Sequence, residues 1–208
     1  MQWIKKFSQS LDQYIGVEIR KKIMQGAEEI KSSSSGKKKA EWIHNTLEKL
    51  DDLIDEETQK KVLISCSHVF PKTRIKPLKI KYKETGNIDA VLELMHEDRS
   101  WGDLSYYEYP IREGNVIYVT KIPFNPKKYE ESTNEIEKKF NYCHCGLVKA
   151  SLKVPNVSIS SNFCYCGAGW YKTLWEGILS KSVKVEVLES IIRDDNSCKF
   201  AIYLPSEL

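Results

Sequence analysis

Residues 164–205 read CYCGAGWYKTLWEGILSKSVKVEVLESIIRDDNSCKFAIYLP. Two periods follow one another in this stretch. Tyr171, Leu174, Trp175, Ile178 and Leu179 recur at i, i+3, i+4, i+7 and i+8, the apolar stripe of a helix. From Val183 the chain alternates instead, giving two half-buried strands joined by the turn residues Asp194, Asp195, Asn196 and Ser197. A helix that hands over directly to a hairpin can cover its stripe with the hairpin's apolar face. The stretch therefore predicts a helix lying on an antiparallel sheet.

Working upstream, SYYEYPIREGNVIYVTKIP at 105–123 is rich in aromatic and β-branched residues with a turn in its middle, the mark of a second hairpin. Residues 125–139 are charged and polar and read as a loop or a short exposed helix. The N-terminal half is helical. Trp3, Ile4, Phe7, Leu11, Tyr14 and Ile15 form a stripe, with Gly16 and Gly26 weakening the run. A second helix is expected from about Ala40 to Leu53. A third starts at the N-cap Asp55 and carries Val62, Leu63 and an inward-facing Cys66, with Pro71 as its stop. Residues 73–83 are ambiguous between helix and extended chain, and 87–96 have helical spacing. The fold class is thus α+β: an antiparallel β-sheet flanked by helices, with a helical N-terminal extension. Its parts are an N-terminal helical segment at 1–31, a flexible polar linker at 32–39, a helical subdomain at 40–100 and a cysteine-containing ligand- and metal-binding α+β domain at 101–208. The N-terminal stripe needs a cover, either the rest of this chain or, in a homodimer, a second copy.

Composition excludes more than it selects. With 208 residues the chain can build one substantial core with a helical annex. The 32 basic and 29 acidic residues leave a net charge of +3, too balanced to make a field for nucleic acid, and the sheet segments carry no basic stripe among their aromatics. The Lys37–Lys39 run reads as solvated linker. No apolar run approaches the roughly 20 residues that span a bilayer, and MQWIKKFSQSLD lacks the apolar core of a signal peptide. No membrane association and a cytoplasmic location follow as expectations.

Six cysteines in a reducing compartment point to metal or thiol chemistry rather than to disulfides. The pairs of Cys143-His144-Cys145-Gly146 and Cys164-Tyr165-Cys166-Gly167 have eighteen residues between Cys145 and Cys164. Two cysteine pairs joined by a loop are a usual way to give zinc its four tetrahedral ligands. Residues i and i+2 of extended chain lie roughly 6.5 Å apart, so each pair must turn for its sulfurs to meet, and the glycines that follow make the turn inexpensive. Zinc held by Cys143, Cys145, Cys164 and Cys166 is the leading reading. Small buried thiols in a core are a second. A third is thiol chemistry at Cys164 or Cys166, where the start of the following helix favours a thiolate. His144 should point away from its flanking cysteines, His68 is an exposed neighbour of Cys66, and His44 and His96 carry no pattern. Acidic pairs such as Asp51–Asp52, Glu130–Glu131 and Asp194–Asp195 read as solvated. None of the common hydrolase, zinc-protease, P-loop or dinucleotide motifs occurs. The aromatics Tyr106, Tyr107, Tyr109 and Tyr118, with Trp170, Tyr171 and Trp175, either wall a pocket for a small apolar or aromatic ligand or pack the core.

From about residue 103 onward the chain resembles the 4-vinyl reductase-like domain superfamily, and more closely the bacterial proteins of unknown function with paired Cys-x-Cys motifs. The residues that carry the likeness are Cys164, Cys166, Trp170, Trp175, Asp195, Cys198 and Phe200. The resemblance implies a small-molecule-binding or sensor module with a pocket between sheet and helices, a metal held by cysteines, and Cys198 as a further ligand. Two positions depart from it. Arg193-Asp194-Asp195 stands where a Gly-Asp turn is usual, and Phe70 stands where related proteins tend to carry another cysteine. Similarity to L-2-amino-thiazoline-4-carboxylic acid hydrolases implies an alternative, a metal- or thiol-dependent hydrolase of small heterocyclic or amide substrates using a cysteine of the CYCG region.

Overall fold

The computed structural model describes residues 2–97 and 110–207. Tyr106, Tyr107 and Tyr109 lie outside the described residues. Helix α1 (Gln2–Ile15) stops at Gly16, whose φ of 83° no helix continues through, and α2 (Val17–Ile23) follows. Helix α3 (Gly36–Leu53) begins four residues before the expected Ala40. The Ser35 side chain accepts a hydrogen bond from Lys38 N at 3.2 Å, so the Lys37–Lys39 run forms the helix's first turn instead of a linker. The serine run was a start signal, because an N-cap serine satisfies an amide that the helix leaves unpaired.

Helix α4 (Glu56–Ser65) is capped by Asp55, which accepts from Thr58 N at 3.0 Å. It ends before the expected stop, with Cys66 as its C-cap and Phe70 buried in the segment beyond. The ambiguous stretch is α5 (Lys72–Thr85), begun after Pro71, and α6 (Ile88–Glu97) follows as its spacing predicts.

Strands β1 (Ile111–Glu113) and β2 (Val116–Thr120) form the first hairpin. Two short helices then take the charged stretch, α7 (Pro126–Glu131) and α8 (Glu135–Tyr142), each begun by an asparagine whose side chain accepts an amide of the first turn. A further helix, α9 (Gly146–Ser151), stands between the two Cys-x-Cys motifs, and α10 (Tyr165–Leu179) follows the second. The chain closes with β3 (Lys184–Glu189) and β4 (Lys199–Tyr203).

The sheet is antiparallel throughout, in the order β1-β2-β4-β3, so the two hairpins join where β2 meets β4. Register places Ile117 beside Ile202 and Val119 beside Phe200, with Val185 and Val187 on the far side of β4. These six residues share one buried face. Between β3 and β4 the chain turns at Asp194 with φ 65°, a left-handed conformation that aspartate tolerates and that suits the glycine usual in the resembling domains.

Helix α10 is the axis of the molecule. On one side it meets the sheet, with the Tyr171 and Phe200 rings 4.8 Å apart. On the other Gly169 lets it approach the backbone of α4, and Gly177 makes room for the Ile75 side chain of α5. Helix α1 lies on α4, with Ser10 Oγ donating to Val62 O at 2.8 Å and Lys6 Nζ to Ser67 O at 2.6 Å. Trp3, Phe7 and Leu11 are buried there, so the N-terminal stripe is covered by its own chain. One apolar core runs through the N-terminal helices and the sheet.

Candidate metal and thiol centre

All six cysteines are free thiols, and the ends of five elements bring them toward one region. Cys143 closes α8, Cys145 begins α9, Cys164 begins α10, Cys166 lies in that helix's first turn, Cys198 precedes β4 and Cys66 closes α4. The first pair is a turn between two helices, not extended chain. There Cys145 N donates to Cys143 Sγ at 3.4 Å. The second pair is helical.

Electrostatics link all six: Cys143 feels Cys145, Cys164 and Cys198, whereas Cys166 acts both on Cys66 and on Cys145. Burial pushes the Cys143 thiol well above its ordinary range, and charge on Cys145, Cys164 or Cys198 would push it further. Cys164 is pushed up to about 12, first by burial and then by Cys198, although Ser190 Oγ at 2.9 Å opposes the shift. Cys145 and Cys198 are raised by burial as well, against the amides of Val148 and Leu147 for the one and of Ile191 for the other. Each of these four sulfurs thus lies beside an amide or hydroxyl donor. Such donors favour thiolates. A nearby carboxylate, Asp195, adds its charge only at Cys198 and spends one oxygen on Ser190 N at 2.8 Å.

The remaining pair is Cys66 and Cys166. Cys66 is 0% exposed and is held well above the ordinary thiol range by burial and by Cys166. Cys166 is lowered: its interaction with Cys66 outweighs burial, and Trp3 Nε1 donates to its sulfur at 3.3 Å. Ionisation of one member of the pair would favour charge on Cys166 over Cys66.

Lys121 stands among these groups. Its amide pairs with Cys198 O at 2.9 Å, and its half-buried ammonium lies 5.4 Å from the Phe200 ring centroid. Its charge favours the thiolates of Cys145, Cys164, Cys166 and Cys198. The Tyr142 hydroxyl ties the same corner together, donating to Lys121 O and accepting from Cys198 N at 3.0 Å. His144 points to the strand side: Nε2 meets Ile122 O at 2.8 Å, and burial lowers its pKa to about 4, leaving a neutral ring.

The expected aromatic residues are placed differently from one another. Tyr171 and Trp175 are fully buried in α10's core faces, while half-buried Trp170 packs on Phe70 with ring centroids 4.7 Å apart. Phe70 therefore fills with a ring the position where the resemblance expects a cysteine. The Trp175 indole N–H has no hydrogen-bond acceptor among the described residues. Beside the centre lies a cleft of about 320 Å³, whose walls include Tyr129, Lys139, Tyr142, Ile191, Asp194 and Asp195. It is lined by charged groups together with the rings of Tyr129 and Tyr142, and Trp170, Tyr171 and Trp175 are not among its walls.

A metal ion would need sulfurs, and the donor set fits a thiophilic ion such as zinc. Among the described residues no three His, Cys, Asp or Glu side chains stand as a ready-made metal group. The sulfurs would therefore have to close on an ion by rotation about χ1. Cys66, Lys121, Ser190 and Trp3 escaped sequence reasoning as members of the region. Only the small residue Gly169 hinted that α10 approaches a neighbour closely.

Fold and site together define an α+β protein with a thiol centre at the N-terminal end of its central helix. Residues 129–208 are similar to a family of unknown function (DUF6144), a stretch that includes every cysteine except Cys66. No curated protein and no solved structure matches the chain.

Proposed function

We propose that this is a cytoplasmic metal-binding protein in which Cys143, Cys145, Cys164 and Cys198 hold zinc, and that it serves as a small-molecule-binding or sensor module. One observation carries the reading: Cys143 and Cys198, buried, and Cys145 and Cys164, half-buried, come from three separate parts of the chain and each lies beside N–H or O–H donors, so that burial keeps them as thiols until a cation offsets the cost of the thiolates. Lys121 would offset part of the negative charge that four thiolates leave on a divalent ion. Cys166, first grouped with Cys164, faces Cys66 and is left out of the set.

The resemblance to 4-vinyl reductase-like domains supports the ligand-binding part. Among the described residues no helix is long and apolar enough to cross a membrane, in keeping with a cytoplasmic role.

The test is elemental analysis of protein purified without chelator, with thiols counted before and after chelation. About one zinc per chain, with the quartet's thiols becoming reactive on chelation, is the expected result. Metal-free protein that takes up no added zinc would sink the reading.

A further inference from the structure

Cys66 and Cys166 are a hundred residues apart in the chain and meet because α4 and α10 touch through their backbones. Gly169, one turn beyond Cys166, makes this approach: a Cβ there would stand 2.3 Å from Ile64 O and 2.6 Å from Ser67 Cβ. Ser67 is the next residue after Cys66, so the Gly169 contact fixes the two cysteines at side-chain range. Each sulfur is felt electrostatically by the other. The Cys66 thiol donates to Leu63 O at 3.2 Å, and Trp3 Nε1 fixes the Cys166 sulfur from the other side at 3.3 Å. The Trp3 ring is itself stacked on Phe7 and set edge-on to Phe163. Cys66 is sealed in the core, whereas Cys166 is half-buried and is the sulfur a small reagent reaches first.

We propose that Cys66 and Cys166 form a redox-active dithiol that reacts with hydrogen peroxide and closes to a disulfide between α4 and α10, separate from the four cysteines assigned to zinc. The Cys166 sulfur attacks one peroxide oxygen, the O–O bond breaks, and water leaves once the thiol proton has been transferred, giving a sulfenic acid. The Cys66 sulfur then attacks the Cys166 sulfur, the S–O bond breaks, and a second water leaves carrying the Cys66 proton. The two sulfurs lose two electrons and the peroxide gains them. A small thiol reverses the reaction by disulfide exchange. The proposal does not depend on the zinc reading.

The experiment uses the full chain as purified, exposed to a stoichiometric amount of hydrogen peroxide. Remaining thiols are then blocked with N-ethylmaleimide, and disulfides are mapped by mass spectrometry of the digest. The expected first product joins the Cys66 and Cys166 peptides, with the other four cysteines alkylated once unfolded and chelated, and it disappears on adding a small thiol. In Cys66→Ala the same treatment should leave Cys166 as a sulfenic acid that a dimedone-type probe captures. A first disulfide among Cys143, Cys145, Cys164 and Cys198, or none at all, overturns the proposal. The wild-type map decides the matter even if the variant does not fold. Metal content measured on the same sample separates this outcome from the fate of the zinc reading.

Discussion

A Cβ added at Gly169 would overlap the carbonyl oxygen of Ile64 and the side chain of Ser67, and neither belongs to a flexible chain end that could swing away. Gly167, two residues earlier on the same helix, differs: its Cβ would meet Phe200 at 3.4 Å and Lys121 Nζ at 3.7 Å, near-ordinary contacts. The two alanine substitutions should therefore separate. Gly169→Ala is expected to force α4 from α10 and cost about 1–3 kcal/mol or somewhat more, whereas Gly167→Ala should stay within about 1 kcal/mol of wild type because alanine's helix propensity favours it. Urea unfolding at equilibrium reads both. Equal losses would mean that the close crossing does not hold the helices together. At this scale the sequence told a good deal about identity and little about neighbours. Cys66 was expected to face inward, and it does. That it meets Cys166, or that Lys121 stands among the sulfurs, depends on helix crossings and strand register that no local pattern encodes.

Among the elements, α4 has a start that can be tested by itself. Asp55 accepts the Thr58 amide, and this hydrogen bond, from side chain and backbone alike, lowers its carboxyl pKa below the usual aspartate value. A carboxyl depressed in the folded state adds stability above its unfolded pKa and loses it as pH falls through the lower, folded value. Asp55→Ala should thus lower the urea midpoint near neutral pH, with the difference from wild type shrinking in acid below the carboxylate range. A difference independent of pH would show that the cap acts through something other than its charge. Element reading succeeded where period and punctuation agreed, as in α10, the β3–β4 hairpin and α4. It slipped at α3, where serine and lysine composition outweighed the cap signal of Ser35, and at α9, whose single short helix between two cysteine motifs is too brief to show a period.

For the whole molecule, the proposed zinc centre couples three regions that lie far apart in sequence: the α8–α9 junction, the start of α10 and the start of β4. Metal bound only by the folded state raises stability by about 2.7 kcal/mol at a free concentration one hundred times Kd. Adding zinc to chelated protein should raise Tm in a concentration-dependent way, and Cys198→Ser should flatten that dependence while leaving the metal-free Tm close to wild type. A zinc-dependent Tm that Cys198→Ser leaves unchanged would remove Cys198 from the ligand set, and a Tm indifferent to zinc in both proteins would remove the site. The sequence by itself determined the α+β class, the two hairpins, the central helix and the four cysteines of the paired motifs, because hydrophobic period, turn residues and short motifs are local properties. The tertiary structure alone brought Cys66 beside Cys166, set Trp3 of the first helix on the Cys166 sulfur, and placed Tyr171 and Trp175 in the core. Those outcomes depend on how closely α10 approaches α4 and on which strands β2 and β4 set side by side, and both are settled by packing between segments up to 163 residues apart.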